Sequence, residues 1–244
     1  MKTAIRVLSA AMLLTAAIAA NADEKTVTLA RTYKVGDKVS HKVTVTVSVN
    51  GMDVVVTRTA KSAVKEVKPT GEVVIIQTDD GSTLNIGGQE QQQPAGPPVT
   101  EIRNKNGKLT EVKVEEAAGG FMTPEIQQLV AKASDVHLTD KPVKAGDTWT
   151  SEFDNPAVKG KKFTAKSTYV GVEKVDGQDL WKVKQTVEAD SDADGKKLTI
   201  DLTAWLDPAK GQTIKMEGIA KDIPTNFGSL TWVMKQAIVK EPAK

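Results

Sequence analysis

Residues 190–201 read DSDADGKKLTID, with carboxylates at Asp190, Asp192, Asp194 and Asp201 and a glycine at Gly195. Calcium is held by several oxygen ligands, and an acidic loop supplies them from positions 1, 3, 5 and 12, with glycine at 6 for the sharp turn. Position 7 would ligate through the carbonyl of Lys196. Other features oppose this. Position 8, where paired loops carry an apolar residue, is Lys197, and position 12 is Asp rather than the longer Glu. The flanks, LWKVKQTVEAD and KKLTIDLTAWL, both alternate as strands, whereas such loops normally adjoin helices. The stretch is therefore expected to be an acidic hairpin tip, with calcium binding through residues 190–201 as an alternative.

Other catalytic chemistry has little to stand on. The chain has no Cys, so thiol nucleophiles and Cys-ligated metals are excluded. His41 falls among inward-facing valines and His137 follows a helical pattern; neither lies in a motif, and both are expected to be structural. No G-x-S-x-G, H-E-x-x-H or phosphate-binding loop occurs. No catalytic residue, metal ligand or cofactor is assigned, and the protein is expected not to be an enzyme. All four Trp, at 149, 181, 205 and 232, lie in the second half. Near strands they are expected in core packing, with an aromatic-lined pocket as the alternative.

The N-terminus bounds location. Lys2 and Arg6 precede an apolar run from Val7 to about Ala20, which ends in Ala20-Asn21-Ala22. That is the layout of a secretory signal peptide cleaved after Ala22, and it predicts a periplasmic or extracellular protein with no stable membrane span. The 33 Lys and Arg face 31 Asp and Glu; two of the bases lie in the leader, so the remainder balances at zero. Such a chain has no electrostatic footprint for nucleic acid.

Beyond the leader the pattern alternates. KVSHKVTVTVSVNG puts Val39, His41, Val43, Val45, Val47 and Val49 on one side and Lys42, Thr44, Thr46 and Ser48 on the other, which is a half-buried strand. The halves repeat this order. YKVGDKV matches VKAGDTW, AVKEVKPTGEVVIIQT matches GVEKVDGQDLWKVKQT, and RNKNGKLTEVKVE matches LDPAKGQTIKMEG. The offsets are 110, 108 and 104 residues, from Gly36 to Gly146, Val64 to Val172 and Gly107 to Gly211, as in an internal duplication. Between the halves TPEIQQLVAKASDV predicts a helix, with Thr123 as N-cap, Pro124 in the first turn and one apolar stripe of Ile126, Leu129, Val130 and Ala133. GGQEQQQPAGPPV, from Gly87 to Val99, reads as a long mobile loop.

DKPVKAGDTWTSEF, with Pro142, Val143, Lys144, Gly146, Asp147, Thr148 and Trp149, resembles a segment of uncharacterised secreted bacterial β-proteins, and WLDPAKGQ (205–212) does so loosely. The resemblance implies location and fold and carries no known activity. Locally, Gly-Asp supplies a turn and Trp149 an anchor for the next strand.

The expected fold is all-β with one docked helix, two duplicated antiparallel meanders forming a curved sheet or open barrel. Its divisions are 1–22 leader, 23–121 first repeat, 122–141 helix and linker, and 142–244 second repeat. The function expected is that of a non-enzymatic binding or carrier protein of the envelope, with an apolar small molecule in the cleft of the sheet. A structural or protein-interaction module, with an envelope protein as partner, is the alternative.

Overall fold

The Val/Thr alternation becomes long antiparallel strands because each buries one face and solvates the other. The computed structural model describes residues 26–49, 52–114, 122–192, 194–226 and 228–239; the expected leader, 1–22, lies outside them. In chain order the elements are β1 (Val27–Thr28), β2 (Lys38–Val49), β3 (Met52–Val67), β4 (Val73–Ile86), β5 (Gln89–Gln93), β6 (Val99–Arg103), β7 (Leu109–Val114), α1 (Pro124–Ser134), β8 (Pro142–Val143), β9 (Thr148–Asp154), β10 (Lys162–Val175), β11 (Gln178–Asp190), β12 (Lys197–Leu206), β13 (Thr213–Thr225) and β14 (Gly228–Ile238).

All the strands but β1 and β8 belong to one open sheet, in the order β7-β6-β4-β3-β2-β14-β13-β12-β11-β10-β9, with β5 paired to β4 off this path. Each half is a meander of sequential neighbours, and the two join where β14 pairs with β2, from Trp232 opposite Val47 to Ile238 opposite His41. The all-β fold with one docked helix and an unclosed sheet is thus what the structure shows. β5 is a departure from expectation, because the Gln-rich stretch is not a loop throughout. Gly87 and Gly88, at φ 58° and 89°, form a two-residue turn that pairs Ile86 with Gln89, and β5 runs back along β4. Paired left-handed glycines are a hairpin signal, and that signal outweighs the low strand propensity of the glutamines.

The duplicated pattern is visible in hydrogen bonds. Gly36 N donates to Val64 O (2.9 Å) and Val64 N to Asp37 O (2.9 Å). In the second half Gly146 N donates to Tyr169 O (2.7 Å) and Tyr169 N to Asp147 O (3.0 Å). Each Asp side chain also accepts from the backbone three residues back, at Lys34 N and Lys144 N. The partner of Val64 is thus Tyr169, not Val172. A bulge follows both Val64 and Tyr169, but the second hairpin is longer beyond it: Val64 pairs with Ile75, Tyr169 with Val183.

A strap at residues 29–33 passes between the two equivalent hairpin turns. Arg31 Nη1 donates to Gly107 O (3.2 Å), and Thr32 N to Lys210 O (3.0 Å) beside Gly211. A Cβ on Gly211 would stand 2.1 Å from Ala30 O, so only glycine lets the strap through.

Packing divides the halves. α1 is capped by Thr123, whose Oγ1 accepts from Ile126 N (3.4 Å), and buries Ile126, Leu129, Val130 and Ala133. These join Phe153, Phe163, Val183, Val187, Leu198 and Ile200 in one large core over the second half. In the first half the buried cluster is Val64, Val73 and Ile75, with Tyr33 against it.

Gly211→Ala is expected to destabilise the fold more than Gly146→Ala in urea unfolding. Both positions have positive φ, and a methyl at Gly146 meets nothing within 4 Å. The left-handed backbone costs either alanine about 1–2 kcal/mol, and only at Gly211 must the strap also move.

Candidate ligand-binding cavity

The register of the sheet sets which side chains share the inner face. Across the seam, Gln236, Val43, Arg58 and Ser82 form one row. Met234, Val45, Val56 and Leu84 form the next, and Trp232, Val47, Val54 and Ile86 the one after. The last two rows are apolar throughout, and their side chains are half-buried or, at Ile86, exposed. In the opposite direction along β2 and β3 the face runs under the C-terminal end of α1 and the strap, where it encloses a cavity of about 370 Å³. Val43, Ala60, Val64 and Ile75 line it from the sheet, and Ala131 and Val136 from the helical side. His41, Gln77, Gln212 and Gln236 bring polar atoms to its wall, and Arg58 stands at its edge, next to the apolar rows.

One carboxylate organises the wall beneath the helix. Asp135, the C-cap of α1, accepts from Arg31 Nη1 (3.2 Å) and from Arg103 Nη1 (3.1 and 3.0 Å to its two oxygens). Arg103 also donates to Glu101 Oε2 (2.9 Å, from Nη2) and to Gly107 O (2.9 Å). Burial alone pushes the Asp135 carboxyl up, but the charges of Arg103 and Arg31 outweigh it and hold the group well below the usual carboxylate range. Burial likewise opposes the charge on Arg103, and Asp135 and Glu101 restore it, so the guanidinium stays protonated.

Both histidine rings are held by backbone carbonyls. His137 is 2 % exposed, its Nε2 lies 3.0 Å from Lys132 O, and its ring centroid is 4.0 Å from that of Phe153. Burial pushes its pKa down to about 4 against the opposing pull of Asp135, so the ring is neutral with Nε2 as donor. Its Nδ1 is 3.8 Å from Asp135 Oδ2, beyond a hydrogen bond. The neighbouring Ser167 hydroxyl is held by Gln185 Oε1 (3.0 Å) and His137 O (3.3 Å). His41 is also shifted down by burial, and its Nε2 lies 2.9 Å from Thr213 O.

The acidic stretch 190–201 is a hairpin. Asp190 pairs with Lys197 across its base and binds Lys197 Nζ at 2.6 Å, and Asp192 Oδ1 accepts from Lys196 N (3.0 Å). Asp201 lies within β12 opposite Thr186, whose hydroxyl it binds at 2.8 Å. Among the described residues no group of three or more His, Asp or Glu converges to hold a metal. Of the tryptophans, Trp149, Trp181 and Trp232 pack against the large core, with Trp149 Nε1 donating to His137 O (2.9 Å). Trp205 is buried instead beneath Lys182 and Lys215, its Nε1 donating to Glu173 Oε1 (3.1 Å).

The sequence reading missed Arg31, Arg58, Arg103 and Asp135. A signal was present for two. Arg58 and Arg103 occupy inward positions of alternating strands, where an ionic side chain needs a partner or a ligand.

Asp135→Asn is expected to lower stability by about 3–5 kcal/mol in urea unfolding, since it leaves buried guanidinium groups short of charge. The histidines set a second expectation. A folded-state pKa below the unfolded value of 6.5 gives stability that is complete above pH 6.5 and is lost as pH falls toward 4. Thermal unfolding between those values should show Tm falling on acidification, and His137→Gln should make that slope shallower. Asp135 adds a further loss only below the ordinary carboxylate range.

The chain matches no protein-family model, and no curated protein matches it in sequence. Solved structures of similar shape include lipovitellin, described for its lipid–protein interactions, at 8% identity and TM-score 0.44, over 87% of this chain and 26% of that one. The chain thus spans about a quarter of the lipovitellin chain. A hypothetical lipoprotein of Escherichia coli K12 aligns at 11% identity and TM-score 0.31, over 87% of this chain and 91% of that one. A putative lipoprotein of Parabacteroides distasonis aligns at 9% and 0.35, over 88% and 98%. At identities and TM-scores this low the likenesses carry no weight for function.

Proposed function

We propose that the protein is a non-enzymatic carrier of the cell envelope that holds an apolar small molecule between the sheet and α1. The observation that supports this reading is the cavity of about 370 Å³, whose lining reaches Val43, Arg58 and Met234 and so adjoins the apolar rows of Val45, Val47, Val54 and Val56. Ligand sites are concave, mostly apolar and of a few hundred cubic ångströms, with a small number of placed polar groups. The leader pattern at residues 1–22 supports an envelope location. No helix among the described residues is long and apolar enough to cross a membrane.

The isolated protein should enhance the fluorescence of phenylnaphthylamine, an uncharged apolar dye, in a saturable manner. Ala60→Trp, which places a large side chain on the cavity wall, should abolish the enhancement without loss of the folded state by circular dichroism. Absence of saturable dye binding by the unaltered protein would overturn the carrier reading and leave the interaction module as the better one.

A further inference from the structure

Which end of a ligand the cavity receives follows from the placement of charge. The apolar rows carry no polar side chain from Trp232 to Ile86 or from Met234 to Leu84. The next row along β3 holds Arg58, and beyond it lies the cavity with His41, Gln77, Gln212 and Gln236. A molecule lying along this face meets hydrocarbon first, then one guanidinium, then hydrogen-bonding groups.

The cations of the wall are not equally free. Arg31 and Arg103 are committed to Asp135, and Arg103 to Glu101 as well. Lys210 lies 3.8 Å from Asp37, and Lys38 stands at the start of β2 opposite Ala63, far along the strand from the apolar rows, whereas Arg58 lies opposite Val43, directly beside them. Arg58 is half-exposed, and Asp79 Oδ2 is 3.6 Å from its Nη1, beyond a good hydrogen bond. Asp79 itself is held by Gly81 N (2.9 Å) and Gly96 N (3.2 Å) through its other oxygen. The guanidinium therefore retains donors for a second anion. Gln77, Gln212 and Gln236 line the cavity beyond Arg58, so the space that a head group would enter is polar. Lys and Arg outnumber Asp and Glu among the lining residues, and still do when Asp79 is added.

We infer that the ligand is a single-chain amphiphile with an anionic head group, its hydrocarbon along the Val45–Val56 and Val47–Val54 rows and its head at Arg58 facing the cavity. This rests on the carrier reading and names its ligand class. A carboxylate and a phosphate monoester share the required chemistry: negative oxygens that accept from a guanidinium, which binds either in a bidentate manner.

The test is titration calorimetry of the delipidated protein with oleate, with oleoyl lysophosphatidate and with uncharged oleyl alcohol, which share a chain length. Both anions should bind about tenfold or more tightly than the alcohol, in keeping with a charge-assisted hydrogen-bonded pair. Arg58→Gln should bring them to the affinity of the alcohol and leave the alcohol unchanged, whereas Arg58→Lys should keep part of the preference. The two anions compared with each other show whether carboxylate or phosphate is preferred. Equal binding of all three chains, unaffected by Arg58→Gln, would overturn the head-group assignment and leave the carrier standing. Binding of none of them, together with saturable binding of phenylnaphthylamine, would overturn the assignment alone; failure of the dye as well would remove both.

Discussion

The carboxylate of Asp135 is the point on which the arrangement of the first half depends. It caps α1, and it accepts from guanidinium groups of the strap and of β6. Leu29 of the strap and the apolar stripe of α1 share the large core, but β6 contributes nothing to it, so the ion pairs are what join β6 to the other two. A buried ion pair is not in itself a strong source of stability, because desolvation offsets much of the attraction. What it supplies is geometry. Both arginines also donate to Gly107 O, so the β6–β7 turn, the strap and the helix end are fixed relative to one another within hydrogen-bond tolerances. The roof of the cavity stands where that network puts it.

The two halves have the same backbone solution and different interiors. Their Gly-Asp turns make matching hydrogen bonds, and each is followed by a bulge at the equivalent place. In the second half the inner face meets α1 and is filled by Phe153, Phe163, Leu198 and their neighbours. In the first the corresponding face bears valines that remain half-buried. A single helix cannot cover two meanders. With the helix over one half, apolar surface is left uncovered in the other. That surface is the physical basis of a cleft.

Much of the architecture was legible because it is periodic. Alternation located the long strands, the capping residues located α1, and the Gly-Asp turns exposed the repeat. β5 was not read, because glutamines hide a strand that the Gly87-Gly88 turn imposes. The cavity was legible only as a possibility of shape. Its ionic wall joins Arg31, Arg103 and Asp135, which are far apart in the chain, and nothing local to any of them records the others. Arg58 does break the apolar alternation of β3, and such a break is where a sequence of this type carries functional information. The acidic run 190–201 shows the converse. Its spacing suits a loop, and the ladder between β11 and β12 places Asp201 well along a strand.

The seam between β2 and β14 has a consequence for how the chain reaches this state. All other long pairings in the sheet join close neighbours in sequence, whereas His41 opposite Ile238 closes nearly the whole described chain into a loop. Local hairpins form within microseconds, and the entropy of closing a loop grows with its length. Each meander can therefore zip up on its own before the two dock edge to edge. Until they do, β2 and β14 are unpaired edges with exposed valines, and such edges are templates for pairing with other chains. On this order of events the seam is the last join to form, and the interval before it closes is the one of greatest exposure to aggregation.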